Sequence, residues 1–279
     1  SGLELETIIG KGSFSEVYRA RYNGFVVAAK LLTERMPEDK RKREQLLQEH
    51  RMLAALKHPN VILLMGTSLS PDAKPVFVFE LCARGALKDV LPNERSMLRR
   101  LKFGKDIVAG LNWLHAHNIV HRDLKCANIL VDEEYKAKIS DLGLALLYYD
   151  GVVCEHFKGT FFFWFFSFFC LFTRRLTVCD ACCAVAGNIK YSAPEILRAR
   201  ASKRTRRYPY GPQTDVYSFG LILWELVTRQ SLFQGIHGTS NITAFVCDGH
   251  RPALVPGWPM SLQNMLSNCW HDNPSRRPR

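Results

Sequence analysis

Between residues 5 and 31, apolar and polar side chains alternate with the two-residue period of β-strands. Glu4-Leu5-Glu6-Thr7-Ile8-Ile9 runs into glycines, and Val17-Tyr18-Arg19-Ala20 follows. A third run, Phe25-Val26-Val27-Ala28-Ala29, is set off by Asn23-Gly24, a pair suited to the left-handed residues of a tight hairpin. Residues 38–56 are charged and then leucine-rich, with Leu46, Leu53 and Leu56 near helical spacing; His58-Pro59-Asn60 ends that predicted helix. Val61–Thr67 and Val76–Leu81 read as two more strands. After Gly85 the period lengthens. Leu98, Leu101, Val108, Leu111 and Leu114 predict one face of a long helix, and Val216, Phe219, Leu223 and Leu226 predict the apolar stripe of another at Asp215–Thr228. A small sheet with one helix, followed by a mostly helical remainder, makes the chain α+β, with a cleft expected between two lobes.

With 279 residues, 47% of them hydrophobic, the chain can bury a sizeable core. Net charge is +12, much of it in Lys40-Arg41-Lys42-Arg43 and in the stretch from Arg198 to Arg207. Such runs serve nucleic acid or acidic lipid, or simply form solvated faces. No aromatic interleaving or nucleic-acid module accompanies them, so no nucleic-acid partner is expected. Of nine cysteines, Cys82, Cys126, Cys154, Cys247 and Cys269 are scattered and read as reduced thiols. Cys170, Cys179, Cys182 and Cys183 crowd one segment, but the single CxxC of Cys179 and Cys182 has no second pair at zinc-ligand spacing.

Four features carry candidate chemistry. Gly10-Lys11-Gly12-Ser13-Phe14-Ser15-Glu16-Val17 is a glycine-rich turn between strands, either a plain hairpin or a loop whose N–H groups approach phosphate closely. Val27-Ala28-Ala29-Lys30 puts an ammonium near a strand end, where it can neutralise phosphates. Glu49, 19 residues on, either pairs with Lys30 or is a solvated helix glutamate. Finally, His121-Arg122-Asp123-Leu124-Lys125-Cys126-Ala127-Asn128 is followed, 18 residues after Asp123, by Asp141-Leu142-Gly143. Phosphoryl transfer needs a carboxylate to orient the hydroxyl, hard oxygen ligands for Mg²⁺ and a cation beside the moving phosphoryl group. Asp123, Asn128 with Asp141, and Lys125 are of those types.

In this order the motifs resemble the eukaryotic protein kinase family over nearly the whole chain. The resemblance implies a two-lobed kinase fold: a β-rich N-lobe with one helix over about residues 1–82 and a larger helical C-lobe over about 83–279. ATP and Mg²⁺ would lie between the lobes. Gly10, Lys11, Gly12, Ser13, Val17, Ala28, Lys30, Glu80 and Cys82 would meet the nucleotide, with Phe79 as gatekeeper and Glu80-Leu81-Cys82 as hinge. Asp123 and Lys125 would be catalytic, Glu49 would hold Lys30, and Asn128 and Asp141 would bind the metal. Ala193-Pro194-Glu195 would close the activation segment, Arg277 would pair with Glu195, and Asp215 would brace the catalytic loop. Lys125 follows the serine/threonine pattern. Cys269-Trp270 and Asp215-Val216-Tyr217-Ser218-Phe219-Gly220 have a tyrosine-kinase flavour, and together they resemble the tyrosine-kinase-like group that holds Raf and mixed-lineage kinases. The implied partners are protein substrates and an upstream kinase acting near Arg122, with Tyr148, Tyr149, Ser192 and Thr160 as candidate acceptors or ordinary loop residues. The implied location is cytoplasmic. The resemblance also places a final helix beyond Arg279, and a first residue of Ser1 leads one to expect that the natural N-terminus is missing.

Three departures stand out. Ser15 replaces the loop's third glycine, Leu142 replaces a phenylalanine, and residues 160–187 interrupt the activation segment. Phe161–Phe172 is nearly all aromatic, and its 12 residues are too few for a helix to span a bilayer, which takes about 20. No stable membrane insertion is expected. Removing residues 160–187 shortens the span from Asp141 to Glu195 from 55 residues to 27 and joins Lys158-Gly159 to Asn188, which stands where the family has threonine. The segment is either a translated intron, its phenylalanines read from pyrimidine-rich codons, or a genuine insertion. A genuine insertion would favour the alternative function, a pseudokinase or scaffold that binds partners without turnover.

Overall fold

The computed structural model describes residues 2–12, 15–32, 57–72, 74–142, 145–149, 152–154, 187–202 and 209–279. Ser13, the helix expected over 38–56 with Glu49, the segment 160–186, Thr160 and the run Lys40–Arg43 lie outside them. The chain divides into two compact units, one ending at Ala83 and the other holding the described residues from Arg84 onward.

The first unit is an antiparallel sheet in the order β1-β2-β3-β5-β4: β1 Leu3–Lys11, β2 Ser15–Tyr22, β3 Phe25–Leu32, β4 Leu64–Leu69 and β5 Pro75–Glu80. Asn23 and Gly24 form the β2–β3 turn with φ of 49° and 86°, the left-handed pair that a two-residue hairpin needs. Ala20, Val27, Ala29, Val76 and Val78 are buried on one face, with Tyr18, Tyr22 and Leu31 packed against them. The strand expected at Val61–Thr67 begins three residues later. Leu63 is held instead by Glu80, whose carboxylate accepts its N–H at 2.8 Å while the Glu80 N–H donates to the Leu63 carbonyl at 3.1 Å.

The second unit is built on helices. β6 Gly85–Ala86 leads into α1 Leu87–Val90 and the long α2 Met97–Ala116. Short strands follow: β7 Ile119–Val120, β8 Ile129–Val131, β9 Ala137–Ile139, β10 Leu146–Tyr149 and β11 Val152–Cys154. Then come α3 Pro194–Ser202, α4 Pro212–Thr228, α5 Thr239–Cys247 and α6 Met260–Cys269. The strands pair as two three-stranded sheets, β6-β8-β9 and β11-β10-β7. Strands of two to four residues carry no readable alternation, which is why the sequence reads as helical here.

Both predicted helices exist, but their buried faces differ from expectation. Ser96 caps α2 by accepting the Arg99 N–H at 3.3 Å. Its buried face is Arg100, Phe103, Gly104, Ile107, Gly110, Leu111 and Leu114, while Leu98 is 81% exposed and Leu101 and Val108 also face solvent. At 3.6 residues per turn, each spacing of three falls about 60° short of a full turn, so a stripe read in threes and sevens drifts around the helix. Only its last two leucines reach the core. Helix α4 starts three residues earlier than expected, at Pro212, and is buried from Thr214 to Val227 apart from Val216. It is a central helix, without the single apolar stripe of a surface one. Arg100, buried against it, donates to the last-turn carbonyls of Leu226 and Val227, both at 2.7 Å.

Candidate active site

Gly10, Val17 and Lys30 lie side by side across β1, β2 and β3, because Gly10 pairs with Val17 and Val17 with Lys30. Ala28, two residues before Lys30, shares that face. It is opposite the face that packs the apolar core, and Val17, Ala28 and Lys30 are half-exposed on it. Lys11 points into solvent and pairs with Glu16 at 3.2 Å, and the Gly12 N–H closes the loop onto the Ser15 carbonyl at 2.8 Å. Among the described residues, a Cβ on Gly10 or Gly12 would meet only ordinary contacts of 3.5 Å or more. The Glu80 carboxylate accepts the Leu63 N–H through one of its oxygens. Cys82 is buried.

In the second unit, β7 leads into the segment that carries Asp123. Asp215, 1% exposed in the first turn of α4, receives three donors: the His121 N–H at 2.8 Å, the Arg122 N–H at 3.0 Å and His115 Nε2 at 2.9 Å. Between those anchors Arg122 adopts φ of +67°, a left-handed conformation that costs an ordinary residue about 1–3 kcal/mol. Buried His121 joins its Nε2 to the Ser140 carbonyl at 2.9 Å, and its Nδ1 accepts the Asp123 N–H at 3.3 Å. One imidazole therefore ties together the residues just before Asp123 and Asp141.

Asp123 is 7% exposed. Its Oδ2 accepts Lys125 Nζ at 2.5 Å and Asn128 Nδ2 at 3.1 Å, and its Oδ1 accepts the Asn188 N–H at 2.8 Å. Asn128 Nδ2 also donates to the Asp123 carbonyl at 2.8 Å. That fixes the Asn128 amide and leaves its side-chain oxygen without a hydrogen bond among the described residues. Ser140 bonds the Asn128 carbonyl twice, through N–H at 2.8 Å and Oγ at 2.9 Å. Asn128 and Asp141 therefore leave the β8–β9 hairpin at the same end. Asp141 is exposed, with φ of +60°. An amide and an exposed carboxylate carried at the same end of one hairpin are hard oxygen donors of the kind Mg²⁺ takes when its remaining positions go to water and phosphate. The second unit thus gathers Asp123, Lys125, Asn128 and Asp141. Lys30 and the glycine loop share one face of the first.

Gly187 lies against this loop with φ of +86°, and a Cβ there would come within 2.5 Å of the Arg122 carbonyl oxygen. Only glycine fits. Downstream, Arg277 forks onto Glu195 at 2.7 and 2.8 Å, as its place in the sequence implies, and gives its remaining donors to the Gln213, His271 and Asp272 carbonyls.

Residues 3–165 match the family described as protein kinase domain, and residues 180–279 match protein tyrosine and serine/threonine kinase. The chain belongs to the protein kinase family. The dual specificity protein kinase shkA of Dictyostelium discoideum is 30% identical over 279 residues, 98% of this chain and 46% of that protein. The probable serine/threonine-protein kinase drkB of the same organism is 33% identical over 281 residues, 97% of this chain and 34% of that one. The kinase chain thus spans less than half the length of either relative. Its sheet-bearing first unit and helical second unit are the α+β organisation of the two-lobed kinase fold.

A second buried cluster in this kinase was not anticipated from its residues. The Glu225 carboxylate on α4 accepts the Tyr191 hydroxyl at 2.7 Å and the Cys126 thiol at 3.2 Å. Burial pushes the Glu225 carboxyl above its ordinary range. Burial likewise pushes the Cys126 thiol and the Tyr191 hydroxyl well up, so both stay protonated donors. A lone carboxylate inside the apolar run Leu221–Val227 is the one signal that could have marked it. Among the described residues no helix is long and apolar enough to cross a membrane, and Cys126, Cys247 and Cys269 are free of disulfides.

Proposed function

We propose that this chain is a catalytic domain that transfers the γ-phosphate of ATP to serine and threonine hydroxyls of protein substrates, with Mg²⁺ held by Asn128 and Asp141. The relatives named as dual specificity and serine/threonine kinases support that substrate class, and with Lys125 they favour the tyrosine-kinase-like branch. The carrying observation is Asp123, a nearly buried carboxylate held by Lys125, Asn128 and a main-chain N–H. It orients the attacking hydroxyl and accepts its proton, and Lys125 stays beside it as a fixed cation. Bound Mg²⁺ would supply charge neutralisation for the phosphate oxygens. The open loop at Gly10 and Gly12 lets main-chain N–H groups approach phosphate, Lys30 neutralises charge there, and Glu80 and Cys82 offer main-chain groups to the base. Glu49 and Ser13 keep the roles of Lys30 partner and loop residue given by the family resemblance. An upstream kinase and a cytoplasmic location belong to the same proposal.

The test is transfer of labelled phosphate from ATP to peptides carrying a single Ser, Thr or Tyr. Transfer to Ser and Thr that falls at least a thousandfold in Asp123→Ala is expected. Transfer indifferent to that change would remove the assignment.

Residues 160–187 we assign to a translated intron. The two family matches leave residues 166–179 uncovered. Excision also puts Gly159 before Asn188, in the position where Gly187 meets Arg122 and only glycine fits. A mature transcript that encodes the aromatic run would refute this assignment. It would also revive the partner-binding pseudokinase, which the intact Lys30, Asp123, Asn128 and Asp141 otherwise disfavour.

A further inference from the structure

We infer that Asn188 is a positioning residue whose main-chain N–H holds the Asp123 carboxylate in the orientation in which Oδ1 receives the substrate proton. The inference deepens the proposed phosphoryl transfer and rests on it. Asp123 Oδ2 already accepts two donors, Lys125 Nζ at 2.5 Å and Asn128 Nδ2 at 3.1 Å. A carboxylate offers about two acceptor sites per oxygen, so Oδ2 is filled. Oδ1 accepts the Asn188 N–H at 2.8 Å and keeps one site, which is the one left for a hydroxyl. As that hydroxyl oxygen bonds to the γ-phosphorus, the bond from phosphorus to the bridging oxygen breaks. Its electron pair leaves with ADP, and the hydroxyl proton passes to Oδ1.

The local geometry separates the Asn188 N–H from the rest of the residue. The side-chain oxygen turns back to cap its own turn, accepting the Lys190 N–H at 3.0 Å. The Asn188 carbonyl accepts the Tyr191 N–H at 3.0 Å and the Ser192 hydroxyl at 3.0 Å, so the turn is held from its other end. Gly187, at φ of +86°, brings the N–H close; a Cβ there would lie 3.6 Å from Asp123 Oδ1 and collide with the Arg122 carbonyl. The side chain at 188 is therefore replaceable while the N–H is not. Asn188 has φ of −81° and ψ of 126°, angles that proline adopts.

Four variants of the full chain separate the two parts. Asn188→Ala and Asn188→Thr keep the N–H, and Asn188→Pro removes it. An α-hydroxy acid at position 188 removes it as an ester without proline's ring, which keeps the test intact if the proline variant folds poorly. The readouts are kcat, peptide KM and ATP KM with a single-serine peptide. The Ala and Thr variants, which keep the N–H, set the reference for the change of side chain alone. Pro and ester variants should lose kcat by roughly ten- to a hundredfold with both KM values unchanged, the penalty of a small misplacement of a reacting group. Pro and ester variants that match Ala in kcat overturn the inference. So does a loss confined to the Pro variant. A parent chain with no transfer at all overturns the kinase assignment and this inference with it.

Discussion

Asp215→Asn tests whether the catalytic loop is held under tension by α4. The carboxylate receives the His121 N–H at 2.8 Å, the Arg122 N–H at 3.0 Å and His115 Nε2 at 2.9 Å, while only 1% exposed. Asparagine has one acceptor oxygen and one NH₂ group. Whichever way the amide turns, an NH₂ faces a main-chain N–H, and at least one buried donor is orphaned. A hydrogen bond to a charged group is worth about 1.5–3 kcal/mol, and an unsatisfied buried donor adds to the loss, so about 3 kcal/mol of stability should go. The functional effect should be larger than that loss implies. Arg122 at φ of +67° is held in place by this brace, and once released it relaxes toward negative φ and carries Asp123 with it. A shift of about 1 Å at a reacting group costs on the order of a hundredfold in rate. Urea unfolding measures the first quantity. Peptide kcat, under conditions where the variant stays folded, measures the second. A stability loss below about 0.5 kcal/mol, the range of an unimportant surface change, together with an unchanged kcat would refute the brace.

Two further outcomes follow from buried groups. Glu195→Ala strands the Arg277 guanidinium, whose side chain is fully buried, and breaking such a pair costs about 3–5 kcal/mol. Three main-chain carbonyls still hold the cation, so the low end is expected, with partial recovery in the double variant with Arg277→Met; urea unfolding of the cycle checks both, and an additive double variant contradicts the pairing. Glu225 has its carboxyl raised above the ordinary 4.5, so the folded state binds its proton more tightly than the unfolded chain does. Its contribution is full below 4.5 and is lost as pH rises through the folded value, so the stability of the parent relative to Glu225→Gln should fall as pH rises from 4.5 through the neutral range. A difference that stays flat across that range counts against the buried carboxyl.

The first unit was legible because alternation over residues 5–31 and the Asn23-Gly24 turn act locally. The register that sets Val17 beside Lys30 then follows from the two-residue loop. The second unit was legible in its chemistry before its packing. Asp123, Lys125 and Asn128 fall within six residues, so a short segment brings them together whatever surrounds it. The buried face of α2 was misread because the exposed Leu98, Leu101 and Val108 look like the buried Leu111 and Leu114 to a pattern and differ from them only in what they meet. Cys126, Tyr191 and Glu225 were invisible because they meet across separations of 34 and 99 residues, and no local period encodes that.

These long-range contacts share one helix. Asp215 at the start of α4 holds His121 and Arg122, Ser218 Oγ donates to the Tyr191 carbonyl at 2.8 Å, and Glu225 takes the Tyr191 hydroxyl and the Cys126 thiol. The loop that carries Asp123 and the segment Gly187–Ser192 are thus fixed to the same buried element, at several points each. A hydrogen bond between them, from Asn188 to Asp123, is cheap to keep because neither side has to be ordered for it alone. Among the described residues, the anchors of that segment lie at or after Gly187, so extra chain before it is not required to disturb them. Lengthening a loop by a factor of two costs only about 0.6 kcal/mol in closure entropy. Residues 160–186 therefore endanger solubility more than the geometry around Asp123. Deleting residues 160–187, with Gly159 taking the place of Gly187, should leave the Asn188 N–H on Asp123 Oδ1.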